Sequence, residues 1–360
     1  MSPKPDEAAQ LLCQQDALLP PRAYGAPLGS GRLKVVPEDF QVEEQLGFLP
    51  QGSGQHVLLR VRKRDANTAW VARNLARLAR CPQSAVGYAG IKDRRAIAVQ
   101  WFSVPQSPLS VADWTGLQEA DFVVLEAHAH HRKLPRGALT GNQFAIRIRD
   151  CELAPGPLAQ RIAAIQQQGI PNYFGPQRFG RGGANLHELP VRVRELHPAR
   201  RSYVLSAARS WIFNGVLAQR VRAGSWNQLL SGDLANLDGR GSVFAMEEPD
   251  PTLLERLRRL EIHPTGPLWG EGAPPTSGAV RDLEEGIASQ LPAACALLTD
   301  ARMRQERRSL RIAVTNLQGA AEQGTVNVSF GLPRGAYATT VLREIVDLLT
   351  ETEEAESEGD

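Results

Sequence analysis

The stretch SAVGYAGIKDRRAIAVQWFSVP (residues 84–105) reads as a strand, a glycine-bounded loop and a second strand. Gly90 permits tight backbone geometry just before Lys92 and Asp93. From Ala98 to Val104 the residues are apolar and aromatic enough for a buried strand. The loop thus holds an aspartate between Lys92 on one side and Arg94 and Arg95 on the other. A carboxylate in a positive field favours its charged form, and a charged carboxylate can act as a nucleophile. The same residues also suit a turn aspartate that caps its own backbone.

Working outward, the chain supplies more strand material on both sides. GRLKVVPEDFQVEEQLGF (31–48) reads as a strand with turn signals, and Phe40, Val42 and Glu44 share one of its faces because side chains alternate. HVLLRVRKR (56–64) is a second strand. TAWVARNLARLAR (68–80) predicts a helix with Thr68 as its N-cap and Trp70, Val71, Leu75 and Leu78 as its apolar stripe. FVVLEAHAHHRK (122–133) is a strand ending in positive charge. GNQFAIRIRD (141–150) alternates cleanly, with Asn142, Phe144, Ile146 and Ile148 on one face and Arg147 and Arg149 on the other. LAQRIAAIQQQG (158–169) reads as a helix closed by Gly169.

After residue 169 the texture changes. IPNYFGPQRFGRGGANLHELP (170–190) is loop-like, residues 203–223 form a helix, and 224–289 are rich in Gly, Pro and polar turns with small helices near 251–260. RIAVTNLQG and TVNVSFGLP, around 310–332, return to strands, and AYATTVLREIVDLL (336–349) predicts a final helix. The pattern predicts an α+β domain interrupted by an inserted module. Residues 1–168 and 305–360 form the first and 169–304 the second, with 351–360 a disordered acidic tail.

Global properties narrow the class. At 360 residues the chain has room for two domains. With 42% apolar and 22% charged residues and no run of about 20 apolar residues, it reads as a soluble protein without a membrane span. The start has no apolar core and is not a secretory signal, so a cytoplasmic protein is expected. Cys13, Cys81, Cys151 and Cys295 lie far apart, which disfavours a zinc ribbon or a disulfide framework. The net charge of +2 conceals an asymmetry: the last ten residues hold six acids, and without them 33 acids face 41 bases, a body charge of +8. A basic body is compatible with a polyanionic partner.

Three further groupings bear on nucleic-acid chemistry. Asn142 and Phe144, at i and i+2, place an amide beside a ring, so a base can stack on one and be read by the other; Phe144 equally continues a core row. Phe40 has the same two readings. NYFGPQRFGRGG mixes Tyr173, Phe174 and Phe179 with Arg178 and Arg181, a mixture suited to single-stranded or bulged RNA or to a hinge between domains. His128, His130 and His131 with Arg132 and Lys133 form a basic cluster that suits an RNA-facing patch; no third ligand has metal-site spacing. No Walker A loop, GxGxxG after a strand or GxSxG occurs, which removes the usual support for nucleotide-driven, dinucleotide-dependent and hydrolase chemistry.

Taken in order, GIKDRRA, PEDFQVEE, GALTGNQF, PNYFGPQRFG, LSAARSWIFN and LPRGAYATTVLRE resemble one family, the tRNA pseudouridine synthases D (TruD), from about Gly31 to Leu349. The resemblance implies a pseudouridine synthase catalytic domain with a mixed, largely antiparallel sheet, interrupted by a TruD-specific α/β insertion. It implies isomerisation of uridine 13 in the D arm of tRNA, with no cofactor and no metal, by a monomer whose partner is tRNA. Asp93 falls on the nucleophile, Phe144 on the ring that stacks on the target uracil, and Asn142 on its neighbour. Lys34 falls on the basic partner of the aspartate and Phe40 on another ring near the pocket. Lys92 is expected to join these at the substrate, and Arg132, Lys133, Arg178 and Arg181 to contact RNA. A non-catalytic RNA-binding module would keep the basic surfaces without needing Asp93. A methyltransferase would need the glycine-rich cofactor loop that the chain lacks.

Overall fold

The structure is a computed structural model that describes residues 15–180, 183–187, 189 and 192–349. By contacts the chain divides into two compact units. One comprises residues 27–162, 314–335 and those from 345 on; the other comprises 163–313, 336–344 and the described residues before 27. The sequence places the boundaries at 168/169 and 304/305, whereas the contacts change at 162/163 and 313/314. The acidic tail lies outside the described residues.

The first unit is built on one ten-stranded sheet. Its strands are β1 (Ser30–Leu33), β2 (Phe40–Leu46), β3 (His56–Arg64), β4 (Gly87–Tyr88), β5 (Ile97–Pro105), β6 (Phe122–His130), β7 (Leu139–Arg149), β8 (Thr315–Glu322), β9 (Thr325–Pro333) and β10 (Asp347–Leu349). The main path runs β8-β9-β7-β2-β5-β3-β6. β2 runs parallel to β5, β1 runs parallel to β10, and the other pairs are antiparallel, so the sheet is mixed.

Register puts the apolar half of each strand on one face. Val42 lies opposite Phe144 and Ala98, Phe144 lies opposite Phe330, and Leu59 lies opposite Phe102. The helix Thr68–Leu78 covers part of this face, burying Val71, Ala72, Leu75 and Ala76 against Val57, Leu59, Val61, Phe102 and Val104. At about 25 cal/mol per Å2 of apolar surface, such burial is what holds an amphipathic helix on a sheet. Thr68 is the first residue of the helix rather than its cap; Asn67 precedes it in extended backbone and no side chain caps the end. The Thr68 hydroxyl has another task, described below.

The expected final helix over 336–349 is corrected. The helix covers only Ala338–Leu342, and residues 347–349 form β10 beside β1. Ile345 and Val346 are fully buried, and these β-branched residues suit an extended chain filling a sheet edge better than a helix.

The second unit centres on the helix Pro198–Arg222, whose Trp211, Ile212, Phe213, Val216 and Leu217 lie in one core with residues of helices Gly278–Ser289 and Pro292–Asp300. The residue pattern there reads as helix and loop, whereas the resemblance implies an α/β insertion, and the unit contains a four-stranded sheet of Leu234–Leu237, Val243–Ala245, Ile262–Leu268 and Glu306–Ser309. Pro264 and Pro267 interrupt the alternation of the third strand and remove two backbone donors, which masks it in the sequence. Among the described residues no helix is long and apolar enough to cross a membrane.

Candidate active site

The apolar face of the large sheet is interrupted by four polar residues. Lys63 on β3, Gln100 on β5, Glu44 on β2 and Asn142 on β7 all point to that side, with Glu44 directly opposite Asn142. Lys63, Glu44 and Gln100 are buried. Buried polar groups are costly unless bonded, and here three of the four bond into, or beneath, the loop that carries Asp93.

Lys92 turns inward, and its Nζ donates to Glu44 Oε1 at 2.6 Å with both side chains almost wholly buried. The second oxygen, Glu44 Oε2, accepts from the backbone N–H of Trp101 at 3.0 Å. The backbone N–H of Lys92 donates to Thr68 Oγ1 at 3.0 Å, and Thr68 donates onward to Gln100 Oε1 at 2.9 Å. Lys63 Nζ donates to the backbone carbonyl of Asp93 at 2.6 Å and to that of Ala66 at 2.7 Å. Burial pushes the Lys63 ammonium down to about 8, against the pull of Asp93. The loop is therefore fastened from below at residues 92 and 93.

Above this floor the Asp93 carboxylate is more than half exposed, at 57%. Lys34 Nζ approaches Asp93 Oδ2 to 2.5 Å and lies 4.1 Å from the centre of the Phe40 ring. Lys34 adopts φ +61°, a left-handed backbone that costs a non-glycine residue about 1–2 kcal/mol. A half-exposed ion pair is worth about 0–1 kcal/mol, so this contact does not repay that strain. Its effect is to orient two charges at one point.

The rings form a row. Phe40 and Phe144 meet edge to face at 5.9 Å, and Phe144 and Phe330 lie 5.3 Å apart at 32°. Beside Phe144 on the same face, Asn142 Oδ1 is buried without a hydrogen-bond partner. An unpaired buried acceptor costs about 1–3 kcal/mol, so this amide is suited to a donor arriving from outside. An exposed carboxylate paired with an ammonium, beside aromatic rings and an unsatisfied amide, can hold a flat polar ring and attack an electrophilic carbon near it.

The structure thus gathers Lys34, Phe40, Asp93, Asn142 and Phe144, and places Lys92 beneath them on Glu44. Glu44, Lys63, Thr68, Gln100 and Phe330 escape the sequence reading. Glu44 in phase with Phe40 and Val42, and Gln100 inside an apolar strand, are signals of buried polar support; Phe330 has no such signal, since it is one more apolar residue in a strand. Arg132 and Lys133 are exposed on the same unit, with Lys133 Nζ 2.5 Å from the Ser84 carbonyl. Arg178 belongs to the other unit, where it donates to the Tyr337 hydroxyl at 3.1 Å. Arg181 lies outside the described residues. Tyr173, Phe174 and Phe179, read as aromatics interleaved with cations, are buried in the core of the second unit. His128 contacts Glu126 and His130 stacks on Phe48.

The family model described as tRNA pseudouridine synthase D (TruD) matches residues 23–193 and 191–345. A Methylococcus capsulatus protein named tRNA pseudouridine synthase D is 44% identical over 91% of this chain and 94% of its own length. A Pseudomonas aeruginosa protein of the same name is 45% identical over 92% of this chain and 95% of its own. A crystal structure of a Methanosarcina mazei protein of that description superposes with a TM-score of 0.70 at 21% identity, covering 92% of this chain and 97% of that one, and shows the same fold.

Proposed function

The chain belongs to the tRNA pseudouridine synthase D (TruD) family, and on that premise we propose that it isomerises uridine 13 in the D arm of tRNA to pseudouridine, with Asp93 as the nucleophile. The observation that carries this reading is the exposed Asp93 carboxylate, held by Lys34 beside a row of rings and an unsatisfied Asn142.

The chemistry explains the parts. The C1′–N1 bond breaks, the uracil turns, C1′ bonds to C5, the C5 proton leaves and N1 gains one. Nothing is oxidised and no atom is added, so no cofactor is needed. The detached base must be held throughout. Phe144 supplies a stacking surface, with Phe40 and Phe330 shaping its sides. The Asn142 amide matches the N3–H donor of uracil and its flanking carbonyl oxygens. Lys34 keeps its positive charge against the Asp93 carboxylate, an attraction that strengthens once the RNA excludes water. Lys63, Lys92, Glu44 and Thr68 keep the Asp93 backbone from drifting, and a misplacement of about 1 Å costs roughly 100-fold. In this reading the strand-rich unit performs the chemistry, residues 169–304 form the inserted module, and the protein acts on tRNA as a cytoplasmic monomer.

The direct test is release of tritium from tRNA labelled at C5 of uridine, with the modified position mapped. Release from position 13 is the expected result, and modification confined to another position would overturn the assignment. Phe144→Leu keeps apolar volume but removes the ring, and should lose stacking worth about 1–3 kcal/mol, about 5- to 150-fold in kcat/KM. A variant with wild-type kcat/KM would make the ring simply part of the core.

Lys63 gives a pH test. Below about 8 its ammonium is charged and grips the Asp93 and Ala66 carbonyls with charge-assisted bonds; as pH rises through that value the charge is lost. The wild-type kcat should therefore decline on the alkaline side near pH 8, and Lys63→Met should show a lower kcat without that limb. An identical alkaline limb in Lys63→Met would exclude Lys63 as its source.

A further inference from the structure

Beside the loop of Asp93, on the strand-rich unit, an open cavity of about 660 Å3 lies between residues 83–88 and 133–136. Its lining holds two cations, Lys133 and Arg136, one aromatic ring, Tyr88, and no acid. The Arg136 guanidinium carbon lies 3.9 Å from the centre of the Tyr88 ring, and among the described residues Arg136 has no carboxylate partner. Lys133 Nζ donates to the Ser84 carbonyl, a neutral group, and among the described residues it has no carboxylate partner. On the same sheet Arg60 contacts Glu43 and Glu126, and Arg64 contacts Glu38, whereas this cavity supplies its two cations with no acid.

The cavity is built into the frame of the site. A Cβ on Gly87 would come within 2.5 Å of the Leu134 carbonyl oxygen, so the two walls meet backbone to backbone. The Gly137 N–H donates to the Ala89 carbonyl at 2.7 Å, which ties the basic segment to the loop leading to Asp93. From Tyr88 to Asp93 that loop spans at most about 17 Å, a reach of a few nucleotides.

A guanidinium lying on a ring, with an ammonium in the same cavity and no acid, fits a ligand that carries both an anion and a flat π-face. We propose that this cavity is a second RNA subsite, holding one nucleotide of the strand that carries the target uridine, with its base on the Arg136–Tyr88 stack and its phosphate at Lys133. The proposal rests on tRNA being the substrate. A guanidinium lying on an aromatic ring presents its outer plane to a base, as Arg does in single-stranded RNA recognition. Lys133 supplies the point charge for the phosphate. An acidic peptide would use the two charges and have no need of the stack.

The test measures tRNA Kd at several salt concentrations for wild type, Lys133→Ala, Arg136→Ala, Arg136→Lys and Tyr88→Leu. Lys133→Ala and Arg136→Ala should weaken binding about tenfold and lower the slope of log Kd against log salt by about 1. Arg136→Lys and Tyr88→Leu should weaken binding while keeping the wild-type slope. Wild-type Kd in all four variants would overturn the subsite. Weakening only where charge is removed would also overturn it, in favour of a diffuse electrostatic surface. If Tyr88→Leu fails to fold, the exposed Arg136 pair of variants carries the decision. Tritium release by the wild type is read separately: its absence from tRNA would sink the activity reading, while Kd alone decides the subsite.

Discussion

Asp93→Asn is expected to abolish tritium release from C5-labelled tRNA, a fall in kcat of more than about 1000-fold, while tRNA affinity changes by less than about threefold. The asymmetry follows from what each group touches. A nucleophile acts only in the reaction, and removing one member of a catalytic constellation commonly costs three or more orders of magnitude. Affinity for tRNA comes mainly from cations meeting phosphates, and Asp93 is an acid. The substitution keeps the shape of the side chain, and the bond from Lys63 goes to the Asp93 backbone, so the loop keeps its fastening. Only the charge facing Lys34 is lost. Turnover within about tenfold of wild type would sink Asp93 as the nucleophile. Lost turnover together with lost tRNA binding would instead mean that the residue organises the RNA-facing surface.

Lys92→Met is expected to lower the stability of the strand-rich unit by about 3–5 kcal/mol, because it leaves Glu44 ionised, buried and facing an apolar side chain. In a unit of this size that corresponds to a fall in Tm of roughly 6–20 °C. Turnover should drop as well, even well below the new Tm, since Lys92 adjoins Asp93 and its side chain is the loop's anchor on β2. Combining Lys92→Met with Glu44→Gln should recover part of the stability, because the stranded charge is gone while the amide still accepts from Trp101. A single variant within about 2 °C of wild type would show that the buried pair is replaceable. Full stability in the double variant with turnover still lost would separate the anchoring of the loop from the energetics of the pair.

The contrast between the two lysines beside Asp93 is one of burial. Lys34 is 26% exposed and meets a carboxylate that is itself open to solvent, so it contributes little to folding and much to the field at the site. Lys92 is 8% exposed and meets a fully buried glutamate, so its loss is a folding event first. Their neighbouring charges therefore do different work.

Strand alternation is a property of adjacent residues, and for that reason the sequence by itself determined much of the site. It placed Phe40, Val42 and Glu44 on one face, and Asn142 and Phe144 on one face, and it marked the glycine-bounded loop that exposes Asp93. The ordered motifs further indicated the family and, through it, Lys34. What only the tertiary structure decided is which strands lie side by side. Register brings Phe330 opposite Phe144 and sets Glu44 opposite Asn142, and it lets Lys63 and Thr68 reach a loop far along the chain. Tertiary packing also settled Tyr173, Phe174 and Phe179, whose rings fill a core. It made an edge strand of residues 347–349. These outcomes depend on hydrogen bonds and buried area between segments distant in sequence, whose energies no local pattern carries.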